Sequence, residues 1–190
     1  MKHLTILLAL TLSFSATAVS AQSKKINVKE SSIKWTGKKV LGQHEGFIKL
    51  QKGWLSIEDN QIQSGEFLID MRSISCTDLQ DEGYNKQLVG HLKSDDFFGV
   101  ENYPTAKLTI KKSTRFKQNK ATVTAQLTIK NKTQSIDFEA TKTNNTLNST
   151  LQIDRSKFDV RYGSSSFFDS LGDKAIYDIF TLEIQLNLED

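Results

Sequence analysis

The chain has one cysteine, Cys76, and one proline, Pro104, among its 190 residues. A lone cysteine cannot close an internal disulfide, so folded stability has to come from a packed core. Cys76 sits between Ser75 and Thr77 and reads as a small buried filler rather than a reactive thiol. No linker-like stretch divides the chain. An excess of one charge is lacking too: 25 Lys and Arg stand against 22 Asp and Glu, a formal +3 at pH 7. That is too near neutral to imply nucleic acid as a partner. The lysines that gather at Lys24-Lys25, Lys38-Lys39 and Lys111-Lys112, with Arg115 and Lys117 beyond, read as solvated strand ends and edge protection.

Groups that carry chemistry are equally sparse. Past His3 only His44, read as lying in a turn, and His91, read as helical, remain. Neither has a cysteine or carboxylate at a ligand spacing such as HExxH, so no metal is expected. Gly163-Ser164-Ser165-Ser166 fails the G-x-S-x-G pattern because Phe167 follows. It reads as a loop whose serines satisfy backbone groups while Phe167 and Phe168 dock back onto the fold. Asp95-Asp96 reads as capping and turn chemistry. Asp169, Asp173 and Asp178 do not form a calcium loop, and no G-x-G-x-x-G cradles a nucleotide. No nucleophile, base and oxyanion donor are arrayed together, so no catalytic residue and no cofactor are expected, and the chain reads as a non-enzyme.

What is present begins with a leader. Lys2 supplies a positive start, residues 4–14 an apolar core and Val19-Ser20-Ala21 a small-residue cleavage site. Residues 1–21 therefore read as a signal peptide and 22–190 as one exported domain, periplasmic or secreted. The apolar core falls short of the ~20 residues that span a bilayer, and no second such segment follows, so no stable membrane insertion is expected.

Alternation with period two dominates from Ile26 onward. Phe67, Ile69 and Met71 alternate with Glu66, Asp70 and Arg72; Val123, Ala125, Leu127 and Ile129 alternate with Thr124, Gln126 and Thr128. Phe180, Leu182, Ile184, Leu186 and Leu188 repeat the pattern at the end. Each predicts a strand with one dry and one wet face, and such clean alternation belongs to antiparallel sheets. Short polar turns, among them Gln51-Lys52-Gly53 and Glu58-Asp59-Asn60, punctuate about eight strands, the spacing of a barrel or sandwich. Residues 81–98 depart from period two. Tyr84, Leu88 and Leu92 fall four apart and predict a helix with Asp78 or Asp81 near its start. Pro104 then restricts Tyr103 to extended geometry and delivers the chain into the next strand.

Three stretches carry a resemblance: HLKSDDFFGVENYPTA at residues 91–106, IKWTGKKVLGQHEGFIKL near the start, and DRSKFDVRYGSSSFFDSLGDKAIYDIFTLEIQLNL at the end. The chain resembles the YceI-like family of secreted lipid-binding barrels over roughly residues 26–188. The resemblance implies an all-β, eight-stranded antiparallel, lipocalin-like barrel with one helix inserted after the third or fourth strand. It also implies a hydrophobic small molecule as partner: a polyisoprenoid, an isoprenoid quinone or a fatty-acid derivative held in a barrel tunnel.

The apolar registers supply candidate tunnel-wall residues. Early strands offer Ile33, Trp35, Phe47, Ile48, Phe67, Ile69 and Met71. Middle strands offer Leu108, Ile110, Val123, Leu127 and Phe138, and late ones Leu151, Ile153, Phe180, Leu182 and Ile184. A charged head group would need donors at a barrel mouth, for which Lys38, Lys39, Arg155 and Arg161 are the candidates. The alternative is a solid barrel that binds a protein through Phe97-Phe98 or Phe167-Phe168. A homodimer is compatible with either reading.

Overall fold

A computed structural model describes residues 23–189; the expected leader and its cleavage site lie outside the described residues. The strands are β1 (Ser23–Lys39), β2 (Gly42–Glu58), β3 (Gln61–Asp70), β4 (Thr105–Ser113), β5 (Lys120–Ile129), β6 (Lys132–Thr143), β7 (Thr146–Asp154) and β8 (Ile179–Leu188). Each pairs antiparallel with its neighbours in sequence and β1 pairs with β8, closing an eight-stranded barrel. One α-helix, α1 (Glu82–Lys93), follows β3.

Local chemistry explains the tight connections. Asp59-Asn60 and Lys130-Asn131 all have positive φ. They link strands whose flanking residues pair directly, Glu58 with Gln61 and Ile129 with Lys132, as a two-residue hairpin turn requires. Gln51-Lys52-Gly53, read from sequence as a turn, lies instead inside β2. The register slips there between Leu50 and Lys52, so the polar residue Gln51 marks a bulge that bends a long strand rather than a chain reversal.

The helix also differs from its sequence reading. Asp81 is its N-cap, its carboxylate accepting from the Tyr84 N–H at 2.9 Å, and Ser94 caps the C-terminus. Residues 95–98 therefore leave the helix as turns. Tyr84 faces solvent, while Leu88 and Leu92 are half-buried toward the barrel. Among the described residues no helix is long and apolar enough to cross a membrane.

The strands run up and down, so two long connections lie at one end of the barrel: residues 71–104 with α1, and residues 155–178. The opposite end is plugged. Ile26, Phe116, Ala121 and Leu188 are buried there, and the Phe116 turn is tied to the β2–β3 turn by Phe116 N–H to Asn60 O (2.8 Å) and Asn60 Nδ2 to Phe116 O (3.0 Å). A seam interrupts the wall between β6 and β7. β6 and β7 pair only from Ala140↔Ser149 to Thr143↔Thr146. Above that, residues 132–139 and 150–154 share no ladder, and the two sides are linked instead by Gln134 Nε2 to Lys157 O at 3.1 Å.

Candidate functional site

Inside the barrel is a cavity of about 310 Å³ that reaches from the plugged end to the end carrying the long connections. Its wall is built by the inward register of the strands, because alternate residues share a face. Ile33 and Trp35 of β1, Ile48 of β2, and Phe67 and Ile69 of β3 border it, with Met71 just beyond. So do Leu108 and Ile110 of β4, Val123 and Leu127 of β5, Phe138 of β6, Leu151 of β7, and Phe180, Leu182 and Ile184 of β8.

Two wall candidates lie elsewhere. Phe47 is 43% exposed on the outer surface. Its neighbour Ile48 points in, and adjacent strand residues cannot face the same side. Ile153 pairs with Phe180 and is buried in the core, but it does not border the cavity. The helix expected to cover one end or side of the barrel does border the cavity, but none of the lid residues was among the wall candidates. Leu88, His91 and Leu92 of α1, Phe97 and Phe98 beyond it, and Ile176 and Tyr177 of the second connection all border the space. Strand periodicity carries no information about where a connection folds back, and only the half-apolar stripe of α1 hinted at it.

Of the head-group candidates, Lys38 and Lys39 border the cavity at its lidded end. Arg155 borders it as well, yet it is 2% exposed and its donors are engaged. Nη1 donates to Val160 O (3.0 Å) and Tyr162 O (2.8 Å), Nη2 to Ile176 O (3.0 Å), and Nε to Tyr177 O (3.3 Å). Its remaining contact is Asp178 Oδ1 at 3.3 Å from Nη2, and its guanidinium lies over the Phe97 ring at 5.3 Å. Burial pulls the Arg155 pKa down, while Asp178 and Asp154 push it back up. Arg155 therefore ties the second connection to the barrel, with four of its five N–H groups given to backbone carbonyls. Arg161 stands outside the cavity, paired with Asp159 at 2.6 Å and stacked over Phe167.

The aromatic surfaces also differ from expectation. Phe97 is 6% exposed and packs between Phe98, His91 and Arg155, so it cannot serve as a docking surface. Phe167 and Phe168 stay 39% and 50% exposed rather than docking back. The serine reading of that loop holds: buried Ser164 accepts from the Ser166 N–H at 3.2 Å.

At the cavity rim, residues 75–78 run alongside β2. Ser75 N–H donates to Phe47 O (3.0 Å) and Thr77 N–H to Glu45 O (2.9 Å), while Trp35 Nε1 donates to Ser75 O (3.0 Å). Glycine is required at position 46, where a Cβ would lie 1.9 Å from Ser75 O. The strap brings Cys76 and Asp78 to His44, which is a β2 residue and not part of a turn. His44 Nδ1 is 2.9 Å from Asp78 Oδ2, Cys76 Sγ donates to Asp78 Oδ1 at 3.1 Å, and Glu45 N–H donates to Oδ1 at 2.9 Å. Burial pushes the Asp78 carboxyl up, but the hydrogen bonds from Glu45, His44 and Cys76 outweigh it and hold the pKa at about 2. Burial, with help from Asp78, raises the Cys76 thiol, the opposite of what a nucleophile needs. More than thirty residues separate His44 from the strap, so no local spacing could reveal this group.

Comparison with known proteins agrees with the architecture. No curated protein matches the chain. BcnA of Burkholderia cenocepacia is 24% identical, with 85% of this chain and 98% of that one covered and a TM-score of 0.66. A polyisoprenoid-binding domain from Saccharophagus degradans, implicated in plant cell wall breakdown, is 13% identical, with 90% and 99% covered and a TM-score of 0.59. The YCEI protein of Campylobacter jejuni is 18% identical, with 100% and 99% covered and a TM-score of 0.54. These likenesses are of fold. The family model for the YceI-like domain matches residues 25–188, and with the closed eight-stranded barrel and the helix after β3 this places the chain in the YceI-like domain family.

Proposed function

We propose that the protein is a non-enzymatic, exported carrier that holds one long hydrophobic small molecule, an isoprenoid or fatty-acid derivative, inside the barrel. The observation that carries this reading is the apolar cavity, whose wall is aliphatic and aromatic from every strand. Burying a methylene is worth ~0.8 kcal/mol, so ten of them supply about 8 kcal/mol relative to water. A lipid drawn from a bilayer starts already desolvated, and the barrel then has to match the membrane rather than beat water. The Saccharophagus degradans domain, described as polyisoprenoid-binding, supports an isoprenoid as the first ligand to test.

Bordering cations are few. Lys38 and Lys39 are the lysines beside the cavity, and Arg155 is committed to carbonyls. The site therefore suits a ligand whose affinity comes mainly from its chain, with an uncharged or singly anionic head near the lysines. Export follows from the leader, with cleavage before Gln22; an intact mass beginning at Gln22 for protein from the periplasm or medium tests that step.

Register supplies the test of the cavity. Phe67→Lys or Leu127→Lys places a charge against the cavity, so bound lipid is lost from the purified, folded variant. Phe47→Lys, one residue off the inward register, retains it. Extraction and quantification of lipid from the three variants reads the result; lipid kept by Phe67→Lys and Leu127→Lys in folded protein contradicts the carrier reading.

A further inference from the structure

We propose that His44, Cys76 and Asp78 form a binding site for a divalent cation of the zinc class at the rim of the cavity. Their candidate ligand atoms, the His44 Nδ1, the Cys76 Sγ and an Asp78 carboxylate oxygen, all lie within 4.8 Å of one another. A tetrahedral zinc site has bonds of ~2.0–2.3 Å to nitrogen, oxygen and sulfur, which sets its ligand atoms about 3.3–3.7 Å apart. The His44–Asp78 separation is 2.9 Å to Oδ2 and the Cys76–Asp78 separation 3.1 Å to Oδ1, and with all three candidate atoms within 4.8 Å of one another side-chain rotations of about an ångström bring them to tetrahedral spacing.

The scaffold is held by bonds that do not involve the ion. Backbone hydrogen bonds at Ser75 and Thr77 fix the strap to β2 on either side of Cys76. The Cys76 carbonyl accepts from Asn85 Nδ2 of α1 at 3.1 Å, and the Glu45 N–H orients the Asp78 carboxylate through Oδ1. Outer hydrogen bonds of this kind keep ligand groups aimed. Cys76 is 8% exposed, whereas the His44 and Asp78 side chains are 27% and 29% exposed, so a hydrated ion approaches from their side.

The donor set selects the class of ion. A thiolate, an imidazole and a carboxylate together favour zinc or cobalt over magnesium or calcium, which take oxygen ligands. Three protein ligands leave one coordination position for water or another small donor. Binding displaces the thiol proton to solvent, and the proton that His44 Nδ1 donates to Asp78 in the free site exchanges through solvent to Nε2, which frees the Nδ1 lone pair for the metal. The site stands on this geometry whatever fills the barrel.

The test is a titration of the chelator-treated, full mature protein with Co²⁺, followed by competition with Zn²⁺. One equivalent of cobalt is expected to produce a thiolate-to-cobalt charge-transfer band in the near ultraviolet, and one equivalent of zinc to remove it. Cys76→Ser abolishes the band. His44→Gln and Asp78→Asn each weaken zinc binding by at least the roughly 10-fold that outer-sphere changes alone can cost, with circular dichroism checking that the variants fold. Absence of the band at millimolar cobalt in the wild-type protein overturns the proposal. So does a band that persists with unchanged affinity in His44→Gln and Asp78→Asn, since that is a thiol binding metal alone.

Discussion

Arg155 and Gly46 show how single residues set the shape of the cavity. Arg155 gathers carbonyls from residues 160, 162, 176 and 177 and the carboxylate of Asp178 around one guanidinium. Removing a buried cation strands all of these acceptors, which costs about 3–5 kcal/mol. Arg155→Met is therefore expected to lower the unfolding free energy read from urea denaturation by that much. Arg155→Lys recovers little, because three donors on one point cannot reach acceptors arranged for a planar fork; full stability in Arg155→Lys would contradict this account of the second connection. At Gly46 the atoms that a Cβ would meet, Ser75 O, Ser75 C and Cys76 Cα, are all backbone, so no side-chain rotation relieves the clash. Gly46→Ala is expected to cost about 1–3 kcal/mol and, by displacing the strap, to weaken cobalt binding as well. An unchanged denaturation midpoint would show that the strap yields freely.

Among the elements, the seam between β6 and β7 is where the barrel wall is least held. β5 pairs with β6 from Lys120↔Thr141 to Ile129↔Lys132, but β7 leaves β6 after Ala140↔Ser149. Backbone amides of residues 132–139 that point away from β5 lack ladder partners, so they are expected to exchange with solvent faster than those of β5. Hydrogen exchange followed by mass spectrometry checks this; equal protection in β5 and β6 would mean that the seam closes in solution. Element identity was legible where a single physical rule governs. The alternations in β3, β5 and β8 and the helix after β3 follow from period and capping. Gln51-Lys52-Gly53 misled because a bulge and a turn use the same polar residues. Tyr84 misled because spacing of four places residues on one face without saying whether that face is covered. Phe47 misled because two adjacent aromatic and aliphatic residues leave the inward one undetermined until the pairing with β1 fixes it.

For the whole molecule, closure into a barrel dictates the candidate site. With β1 paired to β8, every strand contributes one apolar face to the same interior. The wall residues were legible because the dry face of a closed barrel has only one place to go. The helix was legible as a cover for one end or side of the barrel, but the residues of the lid were not, because α1 and the second connection owe their positions to long-range contacts such as those of Arg155 and the strap. The plugged end, with Ile26, Phe116 and Leu188 buried, and the lidded end, with Leu88, Leu92 and Tyr177 at the cavity, give the barrel a direction, and the proposed carrier reading has a chain thread from the lid toward the plug. The measurement that tests this most directly is native mass spectrometry of the protein isolated without detergent, followed by extraction of any bound lipid. The account predicts one isoprenoid or fatty derivative per chain, released on unfolding; a bare protein mass that stays bare after incubation with such lipids would contradict it.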